Sequence, residues 1–556
     1  MVHGLQPPAS IPPPLASSAY PFGCEAIFRD EPNALPLAVE TSLDSAPPGS
    51  FELEATPEGA RIRTADLAGW AYAVFSFEAL VEARWEGPAF RITDRPLFAT
   101  RGIMLDISRT RVPRLQSLLD RIAVFARLRV NQLQLYTEHT FAFSAHSEVW
   151  ANASPLTPED LLQVRHRCEA FGIELVPNLN SFGHMERWLK HPRYRRLAEH
   201  PGPVTSPGGT PHPNGTTLKP ESASADFMED LYREFLPSFT SPFFHIGCDE
   251  TWELGQGWSA PQVREEGLAA VYSKHLERLF RKVRAFNRTP MFWADIILNH
   301  PGAEQSVSRD SIPVLWGYEA DHPFESQCRT LREAGFRFLV APGTSSWLSL
   351  GTRLTNARGN ISAASGHARE YGADGLLLTD WGDRGHHQPW IVSWLPVLQY
   401  AAAAWSGSLP SNGELVSTLD RILRWNPSDR LSQSLFELGA LDQEIQYTRH
   451  NGSPLYDLLV ADHGSLRILR EKITTGELQA THRRISAIRN GVTASGIEAD
   501  HIRLILGFLD YAVDRGLDRP NPSRLQDLLR EYRRLRLLES RPGGLEESLA
   551  WFPVEG

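Results

Sequence analysis

Two adjacent carboxylates, Asp249 and Glu250, follow a short apolar stretch and form the most informative chemical feature of the sequence. Side chains alternate between the two faces of a strand, so neighbouring residues of a regular strand cannot both reach one site. Where a strand gives way to a loop, however, Asp249 can face the interior while Glu250 reaches across the opening. Two carboxylates in different environments can divide proton transfer and charge stabilisation between them. Neighbouring acids on a surface turn are common, but Phe243 and Phe244 just upstream indicate a buried strand.

The sequence contains seven other short apolar or β-branched runs, and nearly all of them also end in polar or aromatic residues. The eight runs are FATRGIMLDIS, VNQLQLYTE, GIELVPNLNS, PFFHIGCDE, TPMFWADI, IPVLWGYE, FRFLVAPGTSSW and ADGLLLTDWGD. Their ends carry Asp106, Glu138, Asn180, Asp249 with Glu250, Trp293 with Asp295, Trp316 with Tyr318, Trp347, and Trp381 with Asp383. The segments between the runs are long enough for helices, and 115–128, 161–171 and 263–286 show helical periodicity.

Eight strands that alternate with helices between about Leu97 and Gly407 are typical of a (β/α)8 barrel. Such a barrel buries the centres of its strands and presents reactive groups at their C-terminal ends. A doubly wound open sheet would also alternate strands and helices, but it rarely places so many acids and tryptophans at strand ends. The sequence therefore predicts an α/β fold with a catalytic TIM barrel over residues 97–407.

Two further domains are predicted on either side of this barrel. Residues 1–96 start with an irregular Pro- and Ser-rich stretch and continue with short apolar runs and turn residues, which indicates a small α/β or β-rich domain, with α/β the preferred interpretation. After Gly407, Leu and Arg recur at helical spacing through 431–447, 499–514 and 523–538. This pattern predicts an all-helical domain over residues 408–556, which would pack against the barrel or serve as the surface of a homodimer.

The composition disfavours several classes of partner. Acidic residues outnumber basic ones by 66 to 56, and the net charge of −10 argues against nucleic acid. No run of about 20 apolar residues could span a membrane, and the N-terminus lacks the basic and apolar regions of a secretory signal. The four cysteines are widely spaced without a CxxC pair, which disfavours a disulfide framework and a zinc site. We therefore expect a cytoplasmic protein.

Three stretches along the predicted barrel resemble one known family. Residues 245–250, His-Ile-Gly-Cys-Asp-Glu, are similar to the His-x-Gly-Gly-Asp-Glu motif of family 20 glycoside hydrolases, the β-N-acetylhexosaminidases. The run RGIMLDISR at 101–109 resembles the first barrel strand of that family, and Trp-Gly-Asp at 381–383 resembles its Trp-x-Glu at the eighth. The resemblance extends over the whole barrel in the expected order, whereas the flanking domains match less specifically.

This resemblance implies the exo-acting removal of terminal β-linked GlcNAc or GalNAc from an oligosaccharide or glycoconjugate, with retention and without a cofactor. In family 20 the 2-acetamido oxygen of the substrate attacks C1 in place of an enzyme carboxylate and forms an oxazolinium intermediate. Glu250 would protonate the leaving oxygen and then deprotonate water, which requires a raised pKa. Asp249 would stay ionised, hold the acetamido N–H and stabilise the positive charge that develops.

The resemblance also implies contacts with the sugar itself. Arg101 would hold the O3 and O4 hydroxyls through its planar guanidinium, although a salt bridge at the floor of the barrel, to Asp106 or another acid, is a serious alternative. Asp383 would accept a hydrogen bond from O4 or O6, with a shorter arm than the Glu usual in the family. Four tryptophans would form an apolar wall around the acetamido methyl and the sugar face: Trp293, Trp316, Trp347 and Trp381.

Other residues are expected to support the carboxylate pair. Tyr318 is the candidate donor to the acetamido oxygen, because residues 342–347, PGTSSW, stand where the family has Tyr-x-Asp. His184 lies in a segment that resembles the family's Pro-Gly-His, and is expected to pair with Glu138 in support of Glu250. A purely structural hydrogen bond accounts for His184 equally well. Two further supporting residues are predicted at strand ends: His245 and Asp295.

Two other functions remain open. A different glycosidase on the same barrel would use Asp295 or Asp383 as a covalent nucleophile on sugars that lack an acetamido group. A carbohydrate-binding protein would keep the pocket without turnover, although the presence of both Asp249 and Glu250 argues against it. The adjacent histidines at 386–387 do not indicate a metal site, because neighbours on a loop cannot easily share one ion.

Overall fold

The computed structural model describes residues 37–40, 46–56, 59–82, 90–207 and 209–553. A four-stranded sheet comes first, in the spatial order β1-β3-β2-β4, with β1 parallel to β3 and the other two pairs antiparallel. Helix α1 packs on this sheet and buries Trp70 and Tyr72 against Phe51 and Ile62. This unit has the expected α/β character, while the Pro-rich start of the chain lies outside the described residues. The elements are β1 (Leu37–Glu40), β2 (Phe51–Thr56), β3 (Gly59–Thr64), α1 (Leu67–Glu82) and β4 (Phe90–Asp94).

Eight parallel strands form a closed barrel after this sheet, and each of the eight predicted runs contains one of them. The barrel closes between β7 and β10, where the amide of His245 donates to Pro177 O at 2.9 Å and the amide of Leu179 donates to His245 O at 3.0 Å. The predicted barrel is thus confirmed. In chain order the barrel strands are β5 (Thr100–Asp106), β6 (Gln132–Tyr136), β7 (Glu174–Val176), β10 (Phe243–His245), β11 (Thr289–Trp293), β12 (Ile312–Trp316), β13 (Leu339–Ala341) and β14 (Gly375–Asp380). A short antiparallel pair outside the barrel, β8 (Val204–Thr205) and β9 (Pro211–His212), comes between β7 and β10 in the chain.

Amphipathic helices cover the outside of the barrel. In α2, for example, Leu118, Ile122 and Phe125 are buried at the spacing of one helix face. The periodic stretch 263–286 forms two helices, because Gly267 takes a φ of +87° between them. The helices between the barrel strands are α2 (Leu115–Arg127), α3 (Ser147–Trp150), α4 (Pro158–Ala170), α5 (Glu186–Leu189), α6 (Ser222–Phe235), α7 (Ala260–Glu266), α8 (Leu268–Ala285), α9 (Asp295–Asn299), α10 (Phe324–Glu333) and α11 (Leu354–Glu370).

Helices make up the regular structure of the chain from Trp394 onward, as far as it is described. The predicted helix over 431–447 ends early, at Gly439, and continues as a short 3-10 turn. Helix α18 is largely buried and packs against α15, α17 and α19. These helices are α12 (Trp394–Ser406), α13 (Asn412–Leu423), α14 (Leu431–Gly439), α15 (Pro454–Val460), α16 (His463–Lys472), α17 (Thr475–Gly491), α18 (Ile497–Gly516), α19 (Pro522–Glu539) and α20 (Leu545–Leu549).

The helical region is joined to the barrel by polar contacts. Arg111, in the loop after β5, donates to Ser540 and pairs with Glu539 at the end of α19. The helical region therefore contacts the barrel directly, which is one of the two arrangements predicted for it. Within the described part of the chain, no helix combines the length and apolar character needed to cross a membrane.

Candidate active site

The chain changes direction sharply between β10 and the carboxylate pair. Gly247, Cys248 and Glu250 all have positive φ angles, of 68°, 72° and 49°. Glycine is required at the first of these positions, because an added Cβ would lie 2.4 Å from Oδ1 of Asn180. This backbone frees the pair from strand alternation, so that both carboxylates approach the same imidazole, that of His184.

Asp249 is a buried and well-held anion. Asn180 Nδ2 donates to its Oδ1 at 3.1 Å, and His184 Nε2 lies 3.2 Å from its Oδ2. Burial alone would raise the pKa of this carboxyl, but the nearby His184 cation and the hydrogen bond from Asn180 outweigh burial and lower it. Asp249 is therefore ionised at neutral pH, as expected.

Glu250 has a different environment from its neighbour. About half of its side-chain surface, 51 %, is exposed, and its Oε2 lies 3.5 Å from His184 Nε2. Partial desolvation raises the pKa of Glu250, and the adjacent Asp249 anion acts in the same direction, against the charge of His184. The two carboxylates are thus pushed to opposite protonation tendencies, which is the pattern of an acid paired with a charge-stabilising anion.

His184 lies between the carboxylates rather than beside Glu138. Its φ of 53° aims the ring at Asp249. Although burial opposes protonation, the two carboxylates raise the pKa of His184 to about 10, so it carries a positive charge. The expected direct pair with Glu138 is not among the described contacts: Glu138 instead accepts from Tyr136 Oη at 3.0 Å and lies 3.7 Å from Arg109.

Arg101 does not reach the mouth of the barrel, so the prediction that it clamps the sugar is wrong. It stands at the start of β5, where the N-terminal ends of the strands lie, and it is 2 % exposed. Its guanidinium donates to the carbonyls of Phe98, Ala99 and Arg129 and to Tyr72 Oη. Arg101 therefore connects the floor of the barrel to α1. This position agrees with the alternative of a structural role at the barrel floor, but the acceptors are carbonyls and a hydroxyl, not Asp106 or another acid.

Arg109 occupies the position at the mouth that was expected of Arg101. It follows the C-terminal end of β5, and its guanidinium lies over the rings of Tyr136 and Trp381, 4.9 and 4.7 Å from their centroids. It pairs with Asp106 at 3.0 Å and lies 3.5 Å from Asp383. A planar donor held between two rings, with a side chain 21 % exposed, is well placed to bind neighbouring sugar hydroxyls.

Asp106 fixes the loop that follows β14. The amide of Gly382 donates to its Oδ2 at 2.9 Å, while Arg109 Nη1 donates to the same oxygen. Asp383 therefore lies next to Arg109, and the Asp383 side chain is 32 % exposed. Partial burial of this carboxyl raises its pKa. Asp383 therefore lies at the mouth, as expected, and shares the Arg109 guanidinium with the buried Asp106.

The aromatic residues form a continuous cluster with layers of different exposure. Tyr318 stacks on Trp316 at 5.2 Å, and Trp381 donates from Nε1 to Tyr318 Oη at 2.7 Å. That bond leaves the hydroxyl proton of Tyr318 available as a donor. Trp293 and Trp347 are 0 % and 1 % exposed, so they support this wall from behind rather than line it.

Asp295 and His245 support the turn that carries the carboxylates. The amide of Glu250 donates to Asp295 Oδ2 at 3.1 Å. Burial, together with the anionic Asp249, raises the pKa of Asp295 well above its usual range. His245 accepts from the amide of Gly247 at 3.1 Å and lies against Trp293; burial lowers its pKa to about 3, so it is neutral. Both residues are placed where they were expected.

Sequence reasoning missed three residues of the site. Arg109 ends the same motif that drew attention to Arg101. Asn180 lies in the run that contains the third barrel strand, four residues after that strand ends, so both positions carried a usable signal. Tyr136, whose hydroxyl accepts from Asn180 Nδ2 and donates to Glu138, is the last residue of the buried strand β6. No pattern in the sequence distinguishes it from a core tyrosine.

Comparisons with known proteins agree with this fold. Residues 98–373 match the catalytic domain of glycosyl hydrolase family 20. Hexosaminidase D of Bos taurus is 27 % identical over 313 residues, which are 51 % of this chain and 85 % of that protein. The Homo sapiens Hexosaminidase D is 27 % identical over 236 residues, 40 % of this chain and 46 % of its own length. A solved β-N-acetylhexosaminidase of Bacteroides fragilis shares the fold, with a TM-score of 0.58 at 16 % identity over 76 % of this chain and 90 % of its own.

Proposed function

Because the chain belongs to glycosyl hydrolase family 20 through residues 98–373, and is a glycoside hydrolase of the β-N-acetylhexosaminidase type, we propose that it acts by substrate assistance. In this proposal the enzyme removes a terminal, non-reducing β-linked GlcNAc or GalNAc residue with retention. The acetamido oxygen attacks C1, and an oxazolinium ion forms and is then opened by water.

The observation that carries the proposal is the division of labour within the carboxylate pair. Asp249 is buried, ionised and held by His184 and Asn180, so it can accept the acetamido N–H and balance the charge of the oxazolinium ion. Glu250 is half exposed with a raised pKa, so it can hold a proton for the leaving oxygen. Tyr318, with its free hydroxyl proton, is the donor proposed for the acetamido oxygen.

The rival nucleophiles are less suited to covalent attack. Asp295 accepts the amide of Glu250, and burial together with the Asp249 anion raises its pKa well above the usual range, which disfavours the anionic form that a nucleophile needs. Asp383 lies 3.5 Å from Arg109, an arrangement suited to binding a sugar hydroxyl with the guanidinium beside it. These placements favour attack by the substrate's own acetamido group.

The proposal is tested with chromogenic β-N-acetylglucosaminide and β-N-acetylgalactosaminide, each in the absence and presence of a thiazoline mimic of the cyclic intermediate. We expect hydrolysis of at least one epimer and strong competitive inhibition. Turnover without inhibition would indicate a covalent nucleophile, while inhibitor binding without turnover of either epimer would indicate a binding protein.

Arg101, at the start of the first barrel strand, and Arg109, just after its end, give a matched pair of variants. In Arg109→Lys the planar fork over the sugar hydroxyls is lost, and we expect kcat/KM to fall by about 10- to 100-fold, the effect of one charged hydrogen bond of about 1.5–3 kcal/mol. Arg101→Lys should lower the thermal midpoint and leave kcat/KM of the folded enzyme near that of the wild type. Steady-state kinetics and thermal melts of both variants check this, and the reverse ranking would return the sugar clamp to Arg101.

The pH dependence of kcat/KM follows from the two carboxylates. The acid limb reports ionisation of Asp249, whose pKa is lowered, and the basic limb reports loss of the proton from Glu250, whose pKa is raised. The His184 cation lowers both pKa values, so its removal in His184→Gln should raise both and move the whole profile to higher pH. Profiles of wild type and variant in the same buffers test this, and an unchanged or downward-shifted profile would exclude His184 as the shared cation.

A further inference from the structure

An open cavity lies between the continuations of the two segments that carry His184 and Glu250. Residues between 195 and 201, together with Lys219, form one wall, and residues 256–258 form the other. The volume of this cavity is 570 Å³, within the range of about 300–1,000 Å³ that is usual for sites of organic ligands. We call it the Trp258 cavity, after the most exposed aromatic residue in its lining.

Trp258 presents a ring that its backbone holds in place. The residue is 45 % exposed. Its amide donates to Glu199 O at 2.9 Å, and a Cβ at Gly257 would lie 2.0 Å from the same oxygen, so only glycine permits this approach. The Glu199 carboxylate accepts from the amide and the hydroxyl of Ser259 at 3.0 and 2.6 Å. An exposed ring on a fixed turn loses little entropy on binding, and its apolar face can cover the C–H face of a sugar.

Three cations line the same cavity, and none of them has an acidic partner within the described part of the chain: Arg195, Arg196 and Lys219. Arg195 donates to the neutral amide oxygen of Asn214 at 2.8 Å. Glu199, the acid in the lining, is 0 % exposed and is engaged by the neighbouring turn. The cavity is therefore positive, although acidic residues outnumber basic ones by 66 to 56 in the whole chain. Such a local excess favours an anionic ligand.

The loop that begins at Glu250 leads to this cavity. Gln256, in the cavity wall, donates from Nε2 to the carbonyl of Trp252 at 2.7 Å, and Trp252 comes two residues after Glu250. In the proposed mechanism Glu250 protonates the oxygen that links the terminal sugar to the rest of the substrate. The rest of the substrate, the aglycone, therefore lies on the side of the mouth from which this loop extends.

We propose that the Trp258 cavity binds an acidic sugar residue of the aglycone, one that carries a carboxylate or a sulfate ester. The ring of Trp258 covers the face of that sugar, and Arg196 and Lys219 pair with its anion, since guanidinium and ammonium groups bind both kinds of oxyanion. The position of the aglycone rests on the proposed hydrolase mechanism. The binding of the acidic sugar does not require turnover.

The kinetic test uses a pentasaccharide in which a terminal GlcNAc is followed by alternating glucuronate and GlcNAc. Its methyl ester contains the same sugars without the charge. We expect kcat/KM to be about 5- to 20-fold higher for the free acid, the effect of one or two partly exposed charged contacts. The double variant Arg196→Gln/Lys219→Gln should lose this preference and keep wild-type kinetics on a chromogenic β-N-acetylglucosaminide.

A matched control removes two positive charges elsewhere. In Arg467→Gln/Arg483→Gln both arginines are exposed, on α16 and α17, and the preference for the free acid should remain. Trp258→Ala should lower kcat/KM for the acid and for the ester alike, because the lost contact is apolar. Trp258→Phe, which keeps a ring, should restore part of this loss.

Direct binding is measured by titration calorimetry at low salt with a tetrasaccharide that starts with glucuronate and so offers no terminal N-acetylhexosamine to cleave. A sulfated tetrasaccharide of neutral sugars, run beside it, shows which anion is preferred, and binding of either one that weakens in Arg196→Gln/Lys219→Gln supports the proposal. Equal affinity for the acidic and esterified forms, or unchanged affinity in the double variant, would overturn it. So would tighter binding of a single-stranded oligonucleotide of equal charge.

These outcomes separate the cavity from the hydrolase mechanism. Binding of the acidic tetrasaccharide by a protein that hydrolyses neither chromogenic epimer would support the cavity and remove the mechanism. Hydrolysis of the pentasaccharide with equal kcat/KM for acid and ester, together with no binding of the tetrasaccharide, would remove the cavity as a site and leave the mechanism in place.

Discussion

Replacement of Glu250 by glutamine should nearly abolish turnover of substrates with poor leaving groups, with kcat/KM lower by about 10²- to 10⁴-fold. The amide has the size of the carboxyl but cannot donate the proton that the leaving oxygen needs. The loss should be much smaller for an activated aryl glycoside such as the 2,4-dinitrophenyl derivative, whose leaving group departs without protonation. Steady-state kinetics on a series of aryl glycosides of graded leaving-group pKa measure this directly.

The control for this variant is Glu265→Gln, an exposed glutamate outside the site that makes the same chemical change. It should keep wild-type kinetics. The basic limb of the pH profile should also disappear in Glu250→Gln, because the group that loses its proton there is gone. Near-normal rates on poor leaving groups, or an equal loss for all leaving groups, would move the role of the acid to another residue.

Replacement of Asp249 by asparagine should lower kcat by about 10²- to 10³-fold, the effect of removing one preorganised electrostatic contact to the transition state. An amide cannot balance the positive charge of the oxazolinium ion, and it leaves the His184 cation without its partner at 3.2 Å. In contrast with Glu250→Gln, the loss should not depend on the leaving group, since Asp249 acts on the acetamido group. The same aryl glycoside series distinguishes the two variants.

The result that would contradict this role is a loss in Asp249→Asn that shrinks as the leaving group improves. Such a pattern would make Asp249 the proton donor. A fully active Asp249→Asn enzyme would remove the charge-balancing role as well. Asn180→Ala provides a graded comparison, because it keeps the Asp249 carboxylate and deletes the 3.1 Å bond to its Oδ1, together with the bonds of Asn180 to Tyr136 Oη and to the amides of Ser181 and Cys248. It should give a smaller loss of the same type.

The barrel could be predicted from the sequence because its period is strong. Each strand is a short apolar run that is buried on both faces, and nearly every run ends in polar or aromatic residues that are unusual in an apolar core. The carboxylate pair could be predicted for the same reason, since Asp249 and Glu250 come directly after such a run. The helix predicted over 431–447 is too long, because apolar residues continue at helical spacing past Gly439, where the helix ends.

The direction of a barrel strand explains the error at Arg101. The motif over 101–109 contains an arginine at each end, and only the one after the C-terminal end of the strand can reach the mouth. Arg101 precedes the last five residues of the strand and lies on the floor, whereas Arg109 follows the strand and lies at the rim. The direction of the strand alone therefore identifies Arg109 as the arginine at the mouth of the barrel.

The partner of His184 could not be predicted in the same way. Its contact with Asp249 joins segments 65 positions apart through backbone with positive φ at His184, Cys248 and Glu250, and none of these three is glycine. Local patterns do not specify such conformations, which the surrounding structure imposes. The burial of Trp293 and Trp347 behind Tyr318 and Trp381 likewise depends on how neighbouring strands pack, not on their positions at strand ends.

The most direct test of the account measures kcat/KM for substrates whose 2-acetamido methyl carries zero, one, two or three fluorines. Fluorine withdraws electrons from the carbonyl oxygen and weakens it as a nucleophile, while the leaving group and the rest of the sugar stay the same. If the substrate attacks its own C1, kcat/KM must fall steeply with each fluorine. A rate that is independent of fluorination would mean that a side chain of the protein forms the bond to C1, and the roles assigned to Asp249 and Glu250 would not stand.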